Sequence, residues 1–273
     1  MFVIVAAMEP LNSDPRSPAP PESDSPIATW WLGRVPYRDA WELQHRLVAA
    51  RRAGRIGDQL LLLEHDPVLT LGRHSDPSHV LAAPSDLAAR GIEVIRTERG
   101  GEVTYHGPGQ LTGYAIVKLA DRRLMVRPFV RALEAALAQT CADFGVVAEP
   151  REGLPGSWCG GTRKIGAVGL RIEHGVSYHG IALNVSVRLS HFAMLDACGM
   201  PDVESTSIEH ELGRPSEPTT DSVVWAAAAF SAALSNALGA PMVGLGVGIP
   251  GLEKLLAAAE AADASSWPVP AHG

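Results

Sequence analysis

Four stretches of this chain hold more glycine, histidine and other chemically active residues than packing alone requires. They are EHDPVLTLGR, ending at Arg73; RGGEVTYHGPGQLTGY, from Arg99 to Tyr114; the run from Lys164 to Val187; and DACGM, around Cys198. Taken singly, each has a plain structural reading. Glycines make tight turns, and a strand histidine such as His106 or His179 is ordinarily a hydrogen-bonded residue rather than a catalyst. Thiols are the natural nucleophiles here, and they act as thiolates, so a lowered pKa matters more than access. Of the three cysteines, Cys141 falls on the apolar stripe of a helix and reads as core. Cys159, between glycines in GSWCGG, should be accessible but has no base beside it. Cys198 is the third.

The elements that must carry these residues can be read from periodicity. Asp39 looks like a helix N-cap, with Glu42 in capping-box spacing. Ala40, Leu43, Leu47 and Ala50 then follow at helical intervals, and Gly54 provides a stop. QLLLLEH reads as a short buried strand, bent at Asp66-Pro67 into VLTLG. A helix is expected over Pro128 to Phe144, with Val130, Leu133, Leu137, Cys141 and Phe144 on one stripe. KIGAVGLRIE, a turn at His174-Gly175 and VSYHGIALNVSV make a hairpin. Simple alternation puts Lys164, Gly166, Val168, Leu170 and Ile172 on one face. A lysine ending an apolar face is partly desolvated, which favours its neutral form. Val223 to Leu238 reads as a further helix. Strands and helices that mix without regular βαβ alternation favour an α+β fold, a mixed sheet with flanking helices.

Composition narrows the possibilities. The chain has 273 residues, 46% of them hydrophobic and 19% charged, with a formal net charge of -7. That balance supports a substantial core and argues against a general nucleic-acid binder, which shows a basic surface. No apolar run approaches the roughly 20 residues that span a bilayer, and the opening MFVIVAA lacks a signal's basic region. Few cysteines and no CxxC pair point to a reducing cytoplasm. Residues 9–26 are rich in Pro, Ser and acid, so residues 1–26 read as a disordered arm. Residues 27–240 read as the catalytic domain, and 241–273 as a linker, a short helix and a frayed tail. GVGIPG at Gly246 matches a dinucleotide string but lacks the βαβ context, and reads as linker. No HExxH and no zinc-type Cys/His spacing occur, so no metal site is expected.

Taken together, RGGEVTYHGPGQL, KIGAVGLRI, HGIALNV, ACGM and the TSI beginning at Thr206 form a pattern. The sequence resembles the octanoyltransferases of lipoate biosynthesis, over roughly Trp30 to Leu238. The resemblance implies an α+β fold like that of biotin and lipoate protein ligases. It also implies transfer of octanoyl from acyl carrier protein to a lysine of lipoyl domains, in the 2-oxoacid dehydrogenase and glycine cleavage complexes. It puts the catalytic cysteine at Cys198 and the catalytic lysine at Lys164. Acyl-binding segments fall on Arg99, Gly100, Gly101, Glu102, Val103, Thr104, Tyr105 and His106, on Ala167, Val168 and Gly169, and on Gly180, Ile181 and Ala182 beside His179. No cofactor is implied; phosphopantetheine arrives on the donor. The chain departs from the family pattern at Asp196-Ala197, at Cys159 and in its N-terminal arm.

The implied chemistry suits these residue types. Exchange of one thioester for another is near free-energy balance and needs no ATP, while the amide formed next is downhill. A covalent intermediate divides the transfer between two separate encounters. An ammonium beside a cysteine favours its thiolate, and Lys164 would supply one. Lys164 would then give its proton to the leaving thiol and take one from the incoming amine. Backbone amides near Gly199 or His179-Gly180, or the His side chains, are candidate donors to the thioester oxygen. The glycines of RGGEVTYHGPG should leave a narrow apolar slot, so that Gly101→Val impairs acylation with little loss of folding. Arg122, Arg123, Arg127 and Arg131 are the best docking cluster for an acidic carrier. Three other readings compete: an ATP-dependent lipoate or biotin ligase, a non-catalytic acyl-binding module and a papain-like hydrolase. The first would need ATP and free acid but no nucleophile at ACGM.

Overall fold

The computed structural model describes residues 25–196, 203–215 and 217–265. Cys198 lies outside these residues, as does the arm expected over 1–26 apart from Ser25 and Pro26. Strand β1 (Ile27–Val35) leads into helix α1 (Tyr37–Arg52), followed by β2 (Gln59–His65), β3 (Val68–Leu71), α2 (Pro84–Ala89), β4 (Glu93–Arg96), β5 (Thr104–His106) and β6 (Gln110–Ile116). Helix α3 (Val126–Asp143) precedes β7 (Glu149–Arg151), β8 (Leu154–Cys159), β9 (Arg163–Glu173) and β10 (Val176–Asn184). The chain continues with β11 (Glu204–Ser205), α4 (Ile208–Glu211), α5 (Thr220–Leu238), β12 (Met242–Val247) and α6 (Ile249–Ser265).

The large mixed sheet runs in the order β12-β1-β2-β6-β10-β9-β8-β7, with β11 paired to β9 beyond the bulge. A second sheet has the order β4-β3-β5. The four leucines of QLLLLEH run without alternation because both faces of the strand are covered. Leu60 and Leu62 join Phe129, Leu133 and Leu137 of α3 and Phe230 of α5. Leu61 and Leu63 join Leu43 and Leu47 of α1 and Leu252 of α6. The expected α+β architecture, a mixed sheet with flanking helices, is the one observed.

Several local expectations change. Pro36, not Asp39, holds the α1 cap position: its carbonyl accepts from Ala40 at 3.2 Å, and Asp39 falls in the first turn. On α3 the stripe turns Phe129 into the core rather than Val130. The expected linker after residue 240 is β12, which pairs parallel with β1 from Ile27↔Met242 to Trp31↔Val247. GVGIPG therefore runs from strand into helix, with Gly246 and Val247 paired to β1 and Gly248 N–H donating to the Trp31 carbonyl at 2.8 Å. The Arg docking cluster loses one of its four members, while Arg123, Arg127 and Arg131 are exposed. Arg122 is buried and bound to Asp58, which also holds Arg51, so it is a structural residue.

The β9–β10 hairpin forms as read, its turn made by His174 and Gly175 with φ of 48° and 81°. Two successive positive φ values give the type I′ twist that matches the strands. The alternation along β9, however, is broken. Ser157 pairs with Gly166 but Trp158 with Lys164, leaving Ile165 as an extra residue. Ile165 enters the core beside Val168, Leu170 and Ile172. The bulge reverses the parity, and Lys164 is turned to line a cavity.

Candidate active site

The cavity has a volume of about 360 Å³, within the range of small-molecule sites. Strand parity explains why there is space. Ile181 and Leu183 of β10 enter the α3/α5 core, so Gly180 and Ala182 point the other way, as do Ala167 and Gly169 of β9 and Thr112 of β6. These small side chains make a low floor. The chain from Arg99 to Thr104 crosses above it, held by Gly100 N–H donating to the Leu170 carbonyl at 3.0 Å. Arg99 is anchored beneath the small sheet by hydrogen bonds to Thr70.

Of the residues implied by the resemblance, Arg99, Gly100, Gly101, Glu102, Val103, Thr104 and His106 line this cavity, with Ala167, Val168, Gly169, His179, Gly180, Ile181, Ala182 and Lys164. Tyr105 does not. Its ring is buried with Leu69 and Leu71, and His191 Nδ1 lies 2.7 Å from its hydroxyl. Alternation on β5 sends it to the opposite side from Thr104 and His106. The sequence reading missed Tyr37, Gln110, Thr112, Tyr114, Asn184 and Phe192, which also line the cavity. Gln110 was within reach, since it ends the HGPGQ string. Its amide donates to Asn184 Oδ1 at 2.9 Å and ties β6 to β10.

The strap approaches the small sheet closely at Gly72, where an added Cβ would sit 1.9 Å from the Gly101 carbonyl oxygen. Both partners are backbone, so no rotamer change relieves the clash. Gly72→Ala is expected to lower stability by about 1–3 kcal/mol and to slow acylation, as checked by a urea midpoint and a single-turnover assay. Gly101 itself has φ of 85°. A β-branched residue is strained there, so Gly101→Val costs folding as well as acylation, contrary to the sequence expectation.

Lys164 is half-buried, with Nζ 5.1 Å from the centroid of the Trp158 ring, within cation–π range. Its strand neighbour across the sheet is Ser205 of β11, and its carbonyl accepts from Thr206 N–H at 3.0 Å. Asp196, whose N–H donates to the His79 carbonyl at 2.8 Å, and Val203 are the described residues nearest Cys198 on either side. Cys198 lies between these flanks in the sequence.

Three rings that line the cavity, Tyr37, His106 and Tyr114, pack against the buried ring of His65. His65 Nδ1–H donates to the Val35 carbonyl at 2.7 Å, and Nε2 lies 2.6 Å from the Tyr114 hydroxyl. A carbonyl only accepts, which fixes the tautomer and makes Nε2 the acceptor. Burial holds the His65 pKa down at about 4, pushes the Tyr37 hydroxyl up to about 12 and lowers His106 well below the usual range. The His65 linkage has a definite sign. Above pH ~6.5 the ring is neutral folded and unfolded; as pH falls toward 4 only the unfolded chain takes the proton. About 3 kcal/mol of stability is then expected to disappear across that window from His65, with His106 adding in the same direction. Urea denaturation between pH 7 and 4.5 checks this: His65→Gln should flatten the pH slope, whatever its effect at pH 7.

Cys159 is buried, not accessible, because GSWCGG ends β8 against the α3 core. Burial raises its thiol to about 11, with the Glu211 carboxylate acting in the same sense. Cys141 is fully buried, as read, and burial raises it to about 12. Both are poor thiolates. Among the described residues no group of three His, Cys, Asp or Glu side chains is placed to hold a metal ion. None of the described helices is long and apolar enough to cross a membrane.

A family model for the lipoyl protein ligase A/B catalytic domain matches residues 36–229. An octanoyltransferase of Chloroflexus aggregans is 46% identical over 190 residues, covering 69% of this chain and 86% of that protein. One from Gloeobacter violaceus is 50% identical over 169 residues, covering 62% and 73%. Among solved structures, lipoate-protein ligase A bound with ATP aligns with a TM-score of 0.64 at 15% identity, covering 86% of this chain and 93% of that one. A bipartite lipoate protein ligase from Thermoplasma acidophilum aligns with a TM-score of 0.60 at 16% identity, covering 86% and 91%. The structural likeness concerns the fold, while the sequence identity reaches to the family: the chain belongs to the octanoyltransferases, within the lipoyl protein ligase A/B catalytic-domain family.

Proposed function

We propose that this enzyme moves octanoyl from octanoyl-acyl carrier protein to a lysine of lipoyl domains, through a thioester on Cys198. What supports the reading is a cavity floored by Ala167, Gly169, Gly180 and Ala182 that reaches Lys164, whose strand neighbour Ser205 is seven residues from Cys198. The Cys198 thiolate attacks the donor thioester, and the Lys164 ammonium gives its proton to the departing phosphopantetheine thiol. The recipient amine then attacks the acyl-cysteine, its proton passes to Lys164, and Cys198 leaves as thiolate. The pair returns to its starting state, and no cofactor is consumed. Recipients are lipoyl domains of 2-oxoacid dehydrogenase and glycine cleavage complexes, in the cytoplasm.

The deciding experiment is intact-mass analysis after mixing the protein with octanoyl-acyl carrier protein in the absence of ATP. Wild type and Cys159→Ser should gain one octanoyl group, and Cys198→Ser should not gain a thioester labile to hydroxylamine at neutral pH. A requirement for ATP and free octanoate would establish ligase chemistry instead, and an unmodified wild-type mass would leave only acyl binding.

A further inference from the structure

Thr206 is fully buried, and its three polar groups are all engaged. Its N–H donates to the Lys164 carbonyl at 3.0 Å, its carbonyl accepts from Asn184 Nδ2 at 2.9 Å, and its hydroxyl donates to Glu211 Oε1 at 2.6 Å. Asn184 is 6% exposed and lines the same cavity as Lys164. Its Oδ1 accepts from Gln110 Nε2 at 2.9 Å. Gln110 Nε2 also donates to the Tyr105 carbonyl at 3.0 Å, and Gln110 Oε1 lies 2.7 Å from His106 Nδ1. A carbonyl only accepts, so the main-chain oxygens of Tyr105 and Thr206 fix the orientation of both amides. Flipping either one sets an oxygen against a carbonyl, and His106 Nδ1 is therefore a donor. One directed chain of hydrogen bonds thus runs from β5 across β6 and β10 to the residue that follows β11.

Strand β11 is only two residues long, so it has few ladder bonds of its own to hold it against β9. Thr206, eight residues after Cys198 in the sequence, is where the chain is fastened. Resting on the acyl-enzyme reading given above, we propose that Asn184 is a positioning residue for the transfer. With the Lys164 carbonyl it clamps both backbone polar groups of Thr206, and so sets how β11 and the chain leading into it run past the lysine. It acts through Thr206 rather than on the acyl group. A shift of about 1 Å in the relative placement of reacting groups is enough to cost about 10²-fold in rate, so a clamp of this kind matters to the chemical step more than to binding.

Asn184→Ala removes the bond to the Thr206 carbonyl and leaves the partners of its N–H and hydroxyl in place. Single-turnover acylation by octanoyl-acyl carrier protein should slow about 10²-fold at saturating donor, with the half-saturating donor concentration within about threefold of wild type. Amide hydrogen exchange should quicken in the peptide containing Thr206 and stay unchanged in the β9–β10 hairpin. A saturated rate within about threefold of wild type in the folded variant overturns the proposal, as does unchanged exchange at Thr206. A raised half-saturating concentration with an unchanged rate also overturns it, because Asn184 would then bind the substrate directly. If the alanine variant does not fold, Asn184→Ser, whose side chain is too short to reach the Thr206 carbonyl, answers the same question. If wild type forms no acyl-enzyme, that reading fails on its own, and the exchange measurement still decides whether Asn184 holds Thr206.

Discussion

Cys198→Ala is expected to lower octanoyl transfer on the order of 10⁴-fold, and Lys164→Ala about 10³-fold, with the double variant little worse than Cys198→Ala alone. The reason is that the two residues act as a unit. A cysteine left without its ammonium has a pKa of about 8.5, so Lys164→Ala should keep a residual rate that climbs toward alkaline pH. It must also protonate the departing thiol from solvent, so loss should persist at high pH. Single-turnover rates with octanoyl-acyl carrier protein across pH 6 to 9 check both points. Losses that simply multiply in the double variant would separate the residues into independent roles. Transfer by Cys198→Ala within tenfold of wild type would remove the acyl-enzyme altogether.

The largest effect on stability is expected at Asp58, which lies outside the cavity. Its carboxylate is 2% exposed and binds Arg51 Nε at 2.6 Å, Arg122 Nε and the Lys118 N–H. It thereby joins the end of α1 to the segment after β6, and Arg122 continues to the Ser25 carbonyl at 2.9 Å. Removing one partner of a buried network leaves charge with less compensation, here the Arg122 guanidinium above all, since Arg51 keeps Asp121 at 2.8 Å. Asp58→Ala is therefore expected to cost about 3–5 kcal/mol, read as a lower urea midpoint at constant slope. Arg38→Ala is the matched control. Its ion pair with Glu93 is 60% and 51% exposed, and pairs of that kind contribute about 0–1 kcal/mol. Equal losses in the two variants would refute the assignment of the Asp58 cluster as a structural joint.

The charge cluster shows how burial overrides a reading of the chain as a string. Arg122 and Arg123 are adjacent and equally basic, so sequence offers no reason to separate them. The fold turns the first onto Asp58 and leaves the second exposed with φ of 54°. Cys159 was misjudged for a related reason. Its flanking glycines argued for access, but its position at the end of β8 puts the thiol against α3.

Local features were the ones that the residues determined by themselves. QLLLLEH had to be a strand covered on both faces, and His174-Gly175 had to turn. Each depends on near neighbours in the chain, where periodicity and φ preferences act directly. Tertiary structure alone decided which face Lys164 occupies, because a single bulged residue at Ile165 reverses the alternation, and bulges leave little trace in composition. It also decided that Met242–Val247 is a strand, since only the neighbouring β1 gives that glycine-rich segment its hydrogen bonds. The same is true of the ring cluster around His179. Tyr37, His65 and Tyr114 come from different elements, and their proton affinities are set by a burial that no stretch of sequence can impose alone.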